Sequence, residues 1–299
     1  MRTIRLATLL LGASMLLGAG NSSASRARAD GLEEPTCGLE SVPLTAPSDW
    51  EVDVVPYAWA PWVNGWQTVK GRSVDVHANQ IQALEHLQQV PVMLYSEARR
   101  GRVGAYCDII YGNVGFDESA VRTHPTRTLS AALGLDALAF IGEVGGVLEV
   151  AEWESGGGST SIDVLGGARV WHQEADLKLA LTDTLDVHHL VITKNYAIAR
   201  SGAINWVDPL VGARLRRRLA AGGEIYLRGD VGGFDAGSQF TWNLTTAYAF
   251  ELCSAGTATY TGLIGYRLLD VDYTRGNGYS QYTFDVLMQG PLLGLSIGF

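Results

Sequence analysis

The last ten residues, GPLLGLSIGF (290–299), put an apolar side chain at every second position: Leu293, Leu295, Ile297 and Phe299. Gly294, Ser296 and Gly298 stand between them. A period of two belongs to an extended strand, whose successive side chains leave opposite faces. One face of this strand is greasy along its length, the other is small, and the chain stops on an aromatic ring. A wall between hydrocarbon and a filled interior has this polarity.

Upstream, the same alternation recurs. In 239–251, Phe240, Trp242, Leu244, Tyr248 and Phe250 share one face, and Gln239, Thr241, Asn243 and Thr245 share the other. Ten segments read as strands: Trp50–Trp62, Val92–Arg99, Val103–Asn113, Leu138–Glu152, Thr160–Trp171, Trp206–Leu219, Glu224–Phe234, Gln239–Glu251, Ala258–Asp272 and Tyr282–Phe299. Most are long for a soluble strand and right for a tilted membrane strand. The expected fold is all-β: a transmembrane antiparallel up-and-down β-barrel of about ten strands, with eight or twelve as alternatives. Glycine supports this: 36 of 299 residues, against a usual ~7%, suits strands that pack small residues inward.

Connections alternate in length. Arg100–Arg102, Ser155–Ser159, Ala220–Gly223 and Cys253–Thr257 are short. Val63–Pro91, Val114–Ala137 and His172–Asn205 are long and are expected to be loops at the opposite end. Asn79–Gln89 spaces Ile81, Leu84 and Leu87 as on one face of a short helix. Short turns on one side and long loops on the other are the pattern of outer-membrane barrels. Trp50, Trp62, Trp153, Trp171, Trp206, Tyr282 and Phe299 fall near strand ends, where interfacial girdles sit.

The N-terminus reads as an export signal over residues 1–29. Arg2 and Arg5 precede the uncharged stretch Leu6–Leu17, and Ala27-Arg28-Ala29 offers a cleavage site, with an earlier cut after Ala24 as the alternative. Residues 30–49 read as an irregular periplasmic leader before a barrel over 50–299. Removing four arginines with the signal leaves 18 basic against 31 acidic residues, a net of −13. That balance disfavours nucleic acid as a partner. Of three cysteines, Cys107 lies mid-strand. Cys37 and Cys253 fall at the periplasmic side and are a candidate disulfide in an oxidising compartment.

Charged residues inside the alternation must face the lumen, because Arg on the lipid side near the midplane costs roughly 2–4 kcal/mol. The expected lumen network comprises Asp53, Glu97, Arg99, Asp108, Glu143, Asp163, Arg169, Asp208, Arg214, Arg216, Arg228, Asp230 and Arg267. A barrel of this size has little room, so ion pairs are expected to fill it. The six histidines sit in or beside the long connections without a ligand spacing, and G-x-S-x-G is absent. No catalytic residue, metal or cofactor is expected.

WVDPLVGARLR (206–216), LRGDVGGF (227–234), GYRLLDVDY (265–273), GPLLGLSIGF (290–299) and the opening VVPYAWAPWVNG (54–65) resemble segments of uncharacterised proteobacterial outer-membrane β-barrel proteins. The resemblance covers most of 50–299. It implies architecture and a place in the outer membrane, with lipid and the barrel-assembly machinery as partners. Phe299, with Ile297 and Leu295, would then be the assembly signal. It implies no activity. A structural or surface-interaction barrel with an unidentified external ligand is the first functional expectation. A narrow, porin-like channel for small solutes is the second, and an enzyme with a site at the lumen rim the third.

Overall fold

A computed structural model describes residues 50–69, 72–78, 89–124, 127–187, 190–220 and 222–299. The expected signal peptide, the whole of the expected leader and the 79–88 stretch of the expected helix lie outside the described residues. Twelve strands form one antiparallel sheet: β1 (Glu51–Trp59), β2 (Trp62–Val69), β3 (Arg72–Ala78), β4 (Val92–Arg100), β5 (Val103–His124), β6 (Arg127–Ser155), β7 (Gly158–Val187), β8 (Leu190–Arg218), β9 (Glu224–Gly232), β10 (Phe240–Ala255), β11 (Ala258–Arg275) and β12 (Tyr282–Gly298). Each strand from β4 to β11 pairs with the next in sequence. The sheet closes where β12 meets β1 through residues 292–298 and β2 through residues 282–289. β1 and β2 are therefore two halves of one wall strand, interrupted at Ala60-Pro61. The barrel has ten wall strands, and β3 is an extra strand hydrogen-bonded to β2. Pro61 explains the interruption, since it has no N–H to give the ladder. The seam is completed by Phe299, whose N–H donates to Val52 O at 2.9 Å while Val52 N–H donates to Phe299 O at 3.3 Å.

One rim carries Phe299, the start of β1 and four tight turns. Each turn passes through glycine at positive φ: Gly101, Gly156–Gly157, Gly222–Gly223 and Gly256. This near rim matches the side assigned to the short connections. The other side is a correction. Val114–Ala137 and His172–Asn205 are not loops. They continue the ladders from Val114↔Ala137 to His124↔Arg127, and from His172↔Asn205 to Val187↔Leu190. Val63–Pro91 is likewise strand in part, as β2 and β3. The reason is hydrogen-bond accounting: each backbone N–H and C=O needs a partner, and a hairpin supplies them all. Strands β5–β8 reach 22, 29, 30 and 29 residues. They stand beyond the far rim as a four-stranded blade. Residues 173–187 alone cover about 50 Å at ~3.3 Å per residue.

The walls are apolar outside and charged inside. Leu293, Val144, Val211, Ile264 and Phe250 are exposed on the exterior, Leu293 at 59%. Arg169, Asp163 and Asp208 face the lumen at 0%. A water-soluble barrel has the opposite polarity. Among the described residues, no helix is long and apolar enough to cross a membrane, which says nothing of the strands.

Candidate functional site in the lumen

Alternation in each strand sends every second residue into the lumen, and neighbouring strands bring these residues to common levels. Eleven of the thirteen expected charges meet in two clusters. The first lies against the β4–β8 wall. Arg99 reaches Glu97 at 3.3 Å and Asp163 at 3.2 Å. Arg214 reaches Asp163 at 2.8 Å and donates to Glu97 at 2.9 Å. Arg216 lies 3.5 Å from Asp163 and 3.8 Å from Glu149. The second cluster crosses the lumen. Arg169 reaches Glu143 at 2.9 Å and Asp230 at 2.6 Å. Arg228 pairs with both same carboxylates, at 3.2 Å from Asp230. Arg267 reaches Asp108 at 2.9 Å. Asn243 ties it in, donating to Asp230 at 2.9 Å and accepting from Arg267 Nε at 3.0 Å.

Each cluster holds three arginines and three carboxylates: Arg99, Arg214 and Arg216 against Glu97, Glu149 and Asp163, then Arg169, Arg228 and Arg267 against Asp108, Glu143 and Asp230. Both are neutral. Between them pack Tyr95, Tyr106, Leu165 and Leu210. Arg228 lies over the Tyr106 ring at 4.7 Å, a cation–π contact. Two lumen glycines make room for this packing. A Cβ at Gly145 would meet the Tyr106 ring at 2.7 Å, and one at Gly212 would meet Asp230 Cβ at 2.6 Å.

Beyond the second cluster, towards the far rim, the lumen is filled by an apolar tier built on Trp59, Ile141, Trp171, Trp206, Leu269 and Tyr273. Trp171 stacks on Trp206 at 5.3 Å, and Trp206 on Tyr273 at 4.1 Å. This corrects the girdle reading. Trp171 and Trp206 are 1% and 6% exposed and point inward, and half-buried Tyr282 packs against the same tier. They share strand parity with Arg169 and Asp208, so the side that takes the charge takes the indole. Trp50, Trp62, Trp153 and Phe299 do stand exposed outside.

Two expected network members stand outside the clusters. Asp208 is fully buried with no cation within ion-pair distance among the described residues. It accepts from Trp206 Nε1 at 3.2 Å and from Ser238 N–H at 2.6 Å. Its work is to hold the β9–β10 loop against β8. Asp53 stands at the near mouth and accepts from Ser296 Oγ at 3.3 Å. Sequence reading missed Glu149, Tyr57, Tyr95, Tyr106 and Asn243. Parity was the available signal: Glu149 is six residues from Glu143, Tyr106 two from Asp108, and Tyr95 two from Glu97. Tyr57 donates to Asp108 at 2.7 Å.

Beside the first cluster, a cavity of about 590 Å³ opens at the near rim. Val55, Leu263, Leu292 and Ala247 line one part; Asp53, Arg216 and Arg218 line its mouth. Arg214, Arg267 and Asn243 form its floor, where the second cluster ends it. Of the cysteines, Cys253 is disulfide-bonded and Cys107 is a free thiol. Cys37 lies outside the described residues.

No family model matches the chain, and no curated protein does. Solved structures similar to it include Ail, the attachment invasion locus protein of Yersinia pestis, at 11% identity and TM-score 0.31, covering 87% of this chain and 100% of that one. A Pseudomonas aeruginosa FadL homologue has 7% identity and TM-score 0.24, covering 84% and 89%. The P. aeruginosa outer membrane protein opdK has 10% identity and TM-score 0.24, covering 84% and 98%. Scores at this level carry no weight for function, and the architecture stated above rests on the chain's own closed ladder.

Proposed function

We propose that this chain is an integral outer-membrane β-barrel with a sealed lumen, acting as a surface-interaction protein through its β5–β8 blade and not as an enzyme. The carrying observation is the lumen filling: a neutral ion-pair cluster across the full width, backed by stacked aromatic rings. A conduit needs continuous water. Here arginines and carboxylates pair with each other at 2.6–3.2 Å, and indole rings close the far side. Membrane placement is supported by the exposed Val, Leu, Ile and Phe of the exterior, which suit hydrocarbon. The near rim, with its tight turns and the C-terminus, is then periplasmic, and the blade faces outward.

Planar-bilayer recording with purified folded protein tests the reading. The expected result is insertion without steady conductance. Stable unitary steps would overturn the seal in favour of the narrow channel.

A further inference from the structure

We infer that the near-rim cavity is a binding site for a small organic cation, an ammonium group carried on an apolar body, with Asp53 as its counter-ion. The small face of β12 makes the room. Gly294, Ser296 and Gly298 lie on the inward side of that strand with the cavity-lining Leu292. A Cβ at Gly294 would sit 3.2 Å from Tyr57 Cβ and 3.4 Å from both Val55 Cγ1 and Leu263 Cδ1. Glycine at this position leaves the apolar wall of Val55, Leu263 and Leu292 open. A Cβ at Gly298 would lie 3.1 Å from Asp53 Oδ1, so the bare backbone there leaves that side of the carboxylate uncovered. At about 590 Å³ the cavity falls within the usual range for small-molecule sites, roughly 300–1,000 Å³.

Charge selects the ligand. Five arginines and five carboxylates line the cavity, and every one of these arginines is already paired. Arg214 pairs with Glu97, Arg267 with Asp108 and Arg218 with Glu224. Arg216 and Arg228 pair with carboxylates of the two clusters. Both clusters are neutral, and Arg218 cancels Glu224. Asp53 and Glu251 are left over, with no cation within ion-pair distance among the described residues. Their partners are neutral hydroxyls: Ser296 Oγ lies 3.3 Å from Asp53, and Ser254 Oγ 3.2 Å from Glu251. Asp53 pairs in register with Gly298, while Glu251 pairs with Thr261, whose other partner is Ser296. Both acids therefore stand towards the near rim. An anion entering here would meet two uncompensated carboxylates and no unpaired arginine. An ammonium would gain a charge-assisted bond to Asp53 while its apolar body covers Val55, Leu263 and Leu292. The deep end adds one more requirement. Arg228, on the cavity lining, is 5% exposed, and its Nε–H has no acceptor among the described residues. A ligand ending in a hydroxyl oxygen suits that end.

Tyramine and tyrosol form a matched pair of probes, since they differ only in an ammonium group replaced by a hydroxyl. Equilibrium dialysis against the full folded chain in phosphatidylcholine nanodiscs at pH 7, with empty nanodiscs subtracted, reads the binding. Tyramine is expected to bind saturably, one per chain, and tyrosol about tenfold or more weakly, the difference between a charge-assisted and a neutral hydrogen bond. Asp53→Asn should weaken tyramine about tenfold and leave tyrosol unchanged. Ala249→Phe, which fills the cavity from the β10 wall, should abolish binding of both. Absence of saturable tyramine binding would overturn the inference, as would equal affinity for the two probes. Unchanged tyramine affinity in Asp53→Asn would do the same. If Asp53→Asn fails the heat-modifiability check for folding, Ala249→Phe decides, and tyramine binding that survives it places the ligand elsewhere and overturns the site. The readout is separate from conduction. A silent barrel that ignores tyramine sinks this inference alone, and a conducting barrel that binds it through Asp53 sinks the sealed-lumen reading alone.

Discussion

Arg169 shows what a single side chain does here. It is fully buried and divided between Glu143 and Asp230. Truncating one partner of a buried pair costs about 3–5 kcal/mol, because the remaining charge is stranded. Arg169→Ala should lower folded stability by that amount, read from the urea midpoint in lipid vesicles. Arg102→Ala, at an exposed arginine 3.8 Å from Glu149, should cost less than about 1 kcal/mol. Equal losses would mean that the cluster does not hold the barrel. A second residue-scale prediction concerns facing. Leu244 lies on the exterior and Thr245 on the cavity wall. Leu244→Arg should block assembly or cost roughly 2–4 kcal/mol, while Thr245→Arg should assemble at near-normal yield, scored by heat-modifiable mobility. Asn243, also inward, is no substitute for Thr245, since it is 3% exposed and bonded on both sides. At this scale the sequence was readable wherever parity was followed through. Position 169 shows its charge, but 171 looked like a strand-end girdle residue because strand ends, unlike parity, are poorly marked. Which carboxylate meets which arginine was not readable, since those partners come from different strands and depend on stagger.

At the element scale, the ten wall strands were legible from alternation, and the sorting of connections by side was legible from their lengths. The blade was not. Stretches such as VGFDESAVRTH (114–124) carry Gly, Asp, Glu and Ser and lack a clean period, so nothing local marks them as strand. They become strand because β6 offers a ladder in register residue by residue. That is a tertiary cause overriding weak propensity. The topology makes a direct prediction. Protease added to intact cells should cut around the hairpin ends near His124–Arg127 and Val187–Leu190, and should spare the turn from Leu219 to Gly223. Cutting at that turn in sealed cells would mean that the barrel stands the other way up.

For the molecule as a whole, the closing seam runs along β12 and ends on the last residue. Phe299 makes both backbone bonds to Val52 and leaves its ring exposed at the near rim. If the ring is read by the assembly machinery, deleting Phe299 should reduce the amount of folded barrel in the outer membrane more than it shifts the unfolding midpoint of what does assemble. A large midpoint shift at unchanged yield would assign Phe299 to sealing the seam instead. The neutrality of the cluster that crosses the lumen has a consequence of another kind. A potential across the bilayer acts on net charge, at about 2.3 kcal/mol per elementary charge per 100 mV. Three arginines balanced by three carboxylates offer such a field nothing to pull on. The plug has no gating charge, so depolarising or hyperpolarising steps should leave it where it is, and its silence should be as complete at 100 mV as at rest.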